Sequence, residues 1–239
     1  MSRSRTEFFR WPGWKNLAYG YGLLGLPLLL WFLLIYGGAD HVTGLHSFRV
    51  RLHFTFERSI PFVPAMVLFY NSFHAVYLAT PFILRTRHEM SALVATWFLI
   101  TLCGGIVFLL LPAENIFPTP TDAALGPWLG MFRLADRANL DYNMCPSLHV
   151  AWAVAGVDVF AGKTRWIGKV VLWSWAVCLT LSTLLVHQHY VADVVAGVVL
   201  AMCMTRLLYP RLRDGRLFQH PSPTEHAPGE IAPTPSVRK

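Results

Sequence analysis

The chain has 239 residues, of which 54% are hydrophobic and only 14% are charged, and its formal net charge is +7. Soluble proteins usually carry about 25% charged residues, so this chain has too little polar surface for a soluble domain of its size. The composition excludes a cytosolic globular enzyme, a disordered chain and a disulfide scaffold. Because the positive charges flank apolar segments, we expect a membrane bilayer as partner and no nucleic acid.

Six apolar segments are predicted to cross the bilayer, each as an α-helix of about 20 residues. In chain order they occupy residues 17–36, 60–84, 92–111, 148–161, 166–186 and 190–209. The fourth segment is short, and we expect its helix to begin a few residues before Leu148. The sequence therefore predicts an all-α, polytopic integral membrane protein with a six-transmembrane-helix bundle.

The segments that flank the helices predict the domain organisation and the orientation. Residues 1–16 form an N-terminal segment, residues 17–209 the membrane domain, and residues 210–239 a tail that is rich in Pro, Ser and Thr and is expected to be disordered. Cytoplasmic segments of membrane proteins are enriched in Lys and Arg. With both termini in the cytoplasm, only five basic residues of the chain fall outside, namely Arg49, Arg51, Arg58, Arg133 and Arg137.

Two polar clusters lie at the ends of predicted helices, and ionisable groups in such places are usually functional. The first cluster is residues 143–149, where the fourth helix starts, and the second is residues 182–193, around the turn between the fifth and sixth helices. The predicted topology puts both clusters on the extracytoplasmic side. Because the connecting hairpin enters the membrane and returns, we expect the clusters to meet.

The residue types in these clusters favour phosphoryl transfer. His189 and Asp193 are four positions apart, so the carboxylate can accept the Nδ1 proton of the imidazole and leave Nε2 as a nucleophile. Ser147 and the first amides of the fourth helix would face an anion. His149, in the same first turn, would protonate the departing oxygen. Together these groups predict a reaction that passes through a phosphohistidine.

Two motifs resemble signatures of the type 2 phosphatidic acid phosphatase superfamily. They are Pro-Ser-Leu-His at 146–149 and His-Tyr-Val-Ala-Asp at 189–193, and their form is most similar to the branch that contains inositol phosphorylceramide synthases. The resemblance implies a six-helix fold without a metal or other cofactor. It also implies that His189 is the nucleophile, that Asp193 orients it, and that His149 is the general acid.

The first signature of that superfamily, a Lys followed by an Arg-Pro pair, has no clean match in this chain, and Thr183 stands where an Arg is often found. The charge of a phosphate must still be neutralised. The residues predicted to bind the phosphate group are Ser147, Asn143, Arg137, Arg133 and His187.

The predicted function is that of a lipid phosphate phosphatase or phosphotransferase at the outer leaflet, in a bacterial inner or plasma membrane. Water as the acceptor makes the protein a phosphatase, whereas an acceptor alcohol makes it a transferase, for example one like an inositol phosphorylceramide synthase. Two other classes remain open: a haem-binding membrane redox protein that uses pairs of its ten His residues, and a metal-dependent membrane hydrolase. Soret absorbance and sensitivity to EDTA distinguish these classes from the first.

Overall fold

A computed structural model describes residues 11–140 and 142–215. Within those residues the regular secondary structure is helical, as predicted, and one isolated bridge pairs Val50 with Ala113. We number the longer helices α1 (Trp14–Gly44), α2 (Pro64–Ile83), α3 (Arg87–Leu110), α4 (Leu129–Ala138), α5 (Leu148–Ala161), α6 (Trp166–Leu185) and α7 (Val191–Arg213). Most of the predicted N-terminal segment and of the predicted disordered tail lies outside the described residues.

Five helices, namely α1, α2, α3, α6 and α7, are long and apolar enough to cross a membrane, which supports an integral membrane protein. The predicted fourth span corresponds to α5, which has 14 residues. At 1.5 Å per residue such a helix is about 21 Å long, which is shorter than a hydrocarbon core of about 30 Å. The described residues therefore contain five helices of spanning length rather than the six that were predicted.

Helix α5 begins at Leu148, so the expectation of an earlier start is wrong. Ser147 has an extended backbone, with φ −62° and ψ 108°, and serves as the N-cap of the helix. Its side-chain oxygen accepts a hydrogen bond of 3.3 Å from the amide of Val150. This cap satisfies one of the free amides of the first turn and sets the N-terminal boundary of the helix at this position.

Helix α2 is interrupted in its middle, where the sequence predicted one continuous helix over residues 60–84. The helix breaks at Ser72, whose hydroxyl donates a hydrogen bond of 2.6 Å to the carbonyl of Phe69. Such local bonds compete with the regular helical pattern. The interruption lies beside the Tyr70 ring, which stacks on the imidazole of His149.

The start of α5 is held against α7 by direct backbone contact. The amide of Ser147 donates a 3.0 Å hydrogen bond to the carbonyl of Asp193. A Cβ atom at Gly197 would lie 2.6 Å from the carbonyl oxygen of Ser147, so only a glycine allows this approach. Most residues of α5 are buried, and they pack against α3, α6 and α7. This packing fixes the position of the 146–149 motif relative to α7.

We predict that Gly197→Ala lowers the free energy of unfolding by about 1–3 kcal/mol, because the added methyl group would overlap with main chain that cannot rotate away. Thermal or denaturant unfolding in detergent measures the effect. Gly22→Ala in α1 is the matched control, since a Cβ atom added at Gly22 would have nothing within 4 Å. Equal stability of the two variants would contradict the role given to Gly197.

Candidate active site

His189 lies in the tight turn between α6 and α7. The carbonyl of Thr183 accepts hydrogen bonds from the amides of Gln188, at 3.0 Å, and His189, at 3.2 Å. His187 has a φ of +57°, a left-handed conformation that allows the chain to reverse at this point. The turn therefore places His189 two residues before the start of α7.

The imidazole of His189 faces the carboxylate of Asp193. The distance from Nδ1 of His189 to Oδ2 of Asp193 is 3.6 Å, and the two residues are 8% and 0% exposed. The same Oδ2 accepts a 2.8 Å hydrogen bond from the amide of Tyr190. The four-residue spacing alone would place both side chains on one face of a helix. However, α7 begins at Val191, so His189 lies before the helix and contacts Asp193 where Asp193 caps the helix N-terminus. The carboxylate lies at Nδ1, which leaves Nε2 available for chemistry.

A second buried carboxylate, that of Glu57, lies at the start of α7. Glu57 is fully buried, and its two oxygens accept hydrogen bonds from the amides of Phe54 and Val191. A negative charge at a helix N-terminus is stabilised by the helix dipole. This residue was not predicted from the sequence, because no motif indicated it. The only signal was a lone acidic residue ahead of an apolar segment.

His149 lies in the first turn of α5, next to the Ser147 cap. Its ring stacks on Tyr70 at 4.2 Å and contacts Phe73 at 4.1 Å between centroids. Its Nε2 is buried without a hydrogen-bond partner, and the bond from the Ser147 amide to the Asp193 carbonyl holds the start of α5 against the start of α7. The structure therefore brings His149, His189 and Asp193 together at one end of the helices.

A polar cavity opens beside His189. Its described lining residues are Tyr36, Asn115, Phe117, Pro118, Thr119, Pro120, Phe132, Asp136, Asn139, Leu140, Asn143, Met144, Val186, His187, Gln188 and His189. These residues include one carboxylate and several amides, and neither Lys nor Arg is among them. His149 and Asp193 are not among these lining residues.

The structure places the predicted phosphate-binding residues in different surroundings. His187 and Asn143 line the cavity, and Asn143 is 2% exposed with its Oδ1 unpartnered. Ser147 is fully buried and serves as the cap of α5. Two of the five predicted residues therefore border the space that a phosphate group could enter.

The two arginines do not line the cavity. Arg133 donates a 2.7 Å hydrogen bond to Asp122 and lies 3.7 Å from Asp136, so carboxylates already offset its charge. Arg137 is exposed on α4. The Arg133–Asp122 pair could not be predicted from the sequence. The short helix Asp122–Leu125 brings the partners together, and their separation of 11 residues is not one that places side chains next to each other on a single helix.

Within residues 11–140 and 142–215, no three His, Cys, Asp or Glu side chains are grouped in a way that would hold a metal ion.

A comparison with protein families shows to which family the chain belongs. The family model described as the PAP2 superfamily matches residues 38–207, which is more than half of the sequence. The chain belongs to the PAP2 superfamily. The matched range contains both motifs and, apart from Tyr36, the residues that line the cavity, and membership indicates a phosphatase-type function for this PAP2 protein. The match reaches the superfamily and not the branch of inositol phosphorylceramide synthases.

No significant match to this PAP2 protein was found among curated proteins or among solved structures.

Cys145 provides a test of the charge at Asp193. Burial, and secondarily the charge of Asp193, raise the pKa of the Cys145 thiol to about 11 from an ordinary value of 9.0. Only the thiolate reacts with alkylating reagents. At pH 8 we therefore expect Cys145 to react about a hundredfold more slowly than an unperturbed thiol, and the rate should rise until the pH approaches 11.

The measurement is the iodoacetamide reaction rate from pH 7 to 11 in a variant that retains Cys145 and has Ala at the other three cysteines. Asp193→Asn should move the rate profile to lower pH, because it removes one of the two causes of the shift. A profile centred near pH 9 with Asp193 present would contradict the assigned surroundings.

Proposed function

We propose that this PAP2 protein is an integral membrane lipid phosphate phosphatase or phosphotransferase that works through a phosphohistidine at His189. The observation that carries the proposal is the 3.6 Å approach of the Asp193 carboxylate to Nδ1 of an imidazole that also borders the cavity. Such a carboxylate holds the ring in one orientation and stabilises it when Nε2 acquires a phosphoryl group.

The proposed reaction has two steps. In the first, Nε2 of His189 attacks phosphorus, the bond from phosphorus to the alcohol oxygen breaks, and His149 gives its proton to the departing oxygen. In the second, water or another alcohol attacks the phosphohistidine and gives its proton to His149, which restores both imidazoles. One group thus acts as acid and then as base, as expected for a double displacement.

For the phosphate oxygens we propose His187 and the Nδ2 group of Asn143, which also donates to the carbonyl of Tyr36, together with amides at the start of α5. The support is that both side chains line the cavity. In a site that excludes water, fixed N–H dipoles stabilise a developing negative charge strongly. Arg133 and Arg137 are less suitable, since Arg133 is paired with Asp122 and Arg137 is exposed.

We further propose that α5 completes a set of six spans, that both termini are cytoplasmic, and that the site faces the extracytoplasmic leaflet. The support for the orientation is the excess of Lys and Arg in the segments assigned to the cytoplasm. The support for a short span is that α5 is enclosed by α3, α6 and α7, so its length need not match the lipid.

One observation favours transfer to an alcohol as the second candidate activity. The Oδ1 atom of Asn143 is buried and unpartnered, and it can only accept a hydrogen bond. A fully ionised phosphate offers no donor to such an atom, whereas a hydroxyl group does. An acceptor alcohol in the cavity would satisfy Asn143.

We predict that His189→Ala abolishes phosphate release from phosphatidic acid in detergent micelles, because it removes the imidazole that carries the phosphoryl group in the proposed reaction. The matched control is His46→Ala, since His46 is exposed on a loop. In the wild-type protein, labelled substrate should leave an acid-labile, base-stable phosphoryl group on the chain. Turnover should persist in EDTA and be inhibited by vanadate. Full activity of His189→Ala would refute the proposal.

The same assay with added alcohols distinguishes the two activities. We predict that glycerol or inositol at high concentration diverts label from inorganic phosphate to a new phosphate ester if Asn143 holds an acceptor. Asn143→Asp is the informative variant, because it keeps the acceptor oxygen and alters the charge. Release of inorganic phosphate alone, at every alcohol concentration, would favour the phosphatase.

A further inference from the structure

We infer that a chain of hydrogen bonds, running from His149 through Tyr70, Asn139 and Gln188 to the carboxylate of Asp136, positions His149 as the general acid. This inference rests on the proposed function. The Oη atom of Tyr70 lies 3.4 Å from Nδ1 of His149 and donates a 2.8 Å bond to Oδ1 of Asn139. Nδ2 of Asn139 donates to Oε1 of Gln188 at 2.8 Å, and Nε2 of Gln188 donates to Asp136 at 3.4 Å.

Each donor in this chain of hydrogen bonds points away from His149 and towards Asp136. A carboxylate only accepts, so Gln188 must present its NH₂ group to Asp136 and its carbonyl to Asn139. Asn139 is then oriented with its own carbonyl towards Tyr70, which uses the single phenolic hydrogen of that residue. The lone pairs of the phenolic oxygen remain, and the group that they face is the Nδ1–H of His149.

This arrangement selects one tautomer of His149. With the proton of the neutral ring on Nδ1, Nε2 is the nitrogen that takes up and delivers the catalytic proton. The aligned dipoles direct their negative ends at the ring, which stabilises the imidazolium compared with a ring whose Nδ1 has no acceptor. The ring is also fixed sterically, because it stacks on Tyr70 and Phe73.

The two histidines therefore differ in how they reach a carboxylate. His189 faces Asp193 directly at 3.6 Å, whereas three neutral side chains separate His149 from Asp136. A nucleophile requires a fixed ring throughout the reaction, while an acid must also release its proton. An indirect connection gives orientation with weaker stabilisation of the charged form, which suits a group that gives up a proton in the first step and recovers it in the second.

The chain of hydrogen bonds also connects His149, the proposed general acid, with the substrate cavity. Asp136, Asn139 and Gln188 line that cavity, whereas Tyr70 is 1% exposed and is not among the described lining residues. Gln188 directly precedes His189 in the turn before α7. Tyr70 is accordingly a positioning residue, which acts through His149 and does not touch the substrate.

The test compares two substrates that differ in their need for an acid. Phosphatidic acid releases an alkoxide that must be protonated, whereas p-nitrophenyl phosphate releases a phenolate that leaves without help. Tyr70→Phe keeps the stacked ring and removes Oη. We predict a loss of about tenfold in kcat for phosphatidic acid with little change in KM, and a loss of less than about twofold for p-nitrophenyl phosphate. Tyr77→Phe, which removes a phenolic hydroxyl elsewhere in α2, should affect neither substrate.

A second pair of variants tests the Asp136 end of the hydrogen-bond chain without altering a buried residue. Asp136→Asn and Asp122→Asn each remove a carboxylate that pairs with Arg133, but only Asp136 accepts from Gln188. Asp136→Asn should therefore reduce turnover of phosphatidic acid selectively, by about threefold, and Asp122→Asn should not.

Equal losses on both substrates in Tyr70→Phe and in Asp136→Asn would overturn the inference, since they would indicate a structural role. Unchanged kcat in both variants would overturn it as well. His189→Ala, assayed beside them, separates this failure from that of the proposed function. If His189→Ala is inactive while the network variants show no selectivity, only the role of the hydrogen-bond chain is rejected.

Discussion

The backbone contact between the start of α5 and the first turn of α7 determines the relative positions of the two motifs. The Ser147 amide donates to the Asp193 carbonyl, and Gly197 leaves room for the Ser147 carbonyl one turn further along. Backbone groups within a membrane protein must be satisfied internally, so such a bond is strongly favoured over an open contact. It aligns two chain segments that are distant in sequence, and His149 and His189 are carried by those segments.

The charges around the site pose a specific problem for an anionic substrate. Asp193 and Glu57 are fully buried at the start of α7, and Asp136 borders the cavity. Arg133 is held by Asp122, so its charge is not free to meet a phosphate group. The described lining of the cavity therefore offers a phosphate group imidazole and amide N–H groups in place of Lys or Arg. Such groups are effective where water is excluded, since the local dielectric constant is low. The absence of a clean first signature from the sequence agrees with this arrangement.

Patterns that are local in the chain could be predicted from the sequence. Apolar runs of the right length predicted α6 nearly to the residue and the C-terminal end of α5, and the four-residue spacing predicted the pair of His189 and Asp193. The predicted start of α5 was wrong: the segment is short, but Ser147 caps the helix and the helix begins at Leu148. The four-residue spacing predicted the correct pair, but the two residues do not share a helical face: Asp193 caps α7, and His189 lies before the helix.

Contacts between distant segments could not be predicted in this way. Tyr70 and Asn139 are joined by a hydrogen bond, as are Asn139 and Gln188, and no periodicity relates these positions. Each residue had an ordinary interpretation in its own segment: an aromatic residue in an apolar helix, an amide in a loop, and a polar residue in a turn. Glu57 was missed for the same reason, because its partner amide at Val191 is far away in the chain.

The segment between α3 and α5 has a larger part in the site than a connection would require. Residues 115–120 and α4 supply much of the cavity wall, and Phe132 of α4 belongs to the same buried cluster as Tyr70. Because α5 has 14 residues and α6 has 20, this segment can fold over the start of the shorter helix. The catalytic candidates come from the helix ends, whereas the groups that would contact the remainder of a substrate come from this segment. Loops on a rigid scaffold commonly carry specificity. The preference for a particular lipid or acceptor alcohol should therefore depend on residues 115–140 more than on the motifs themselves.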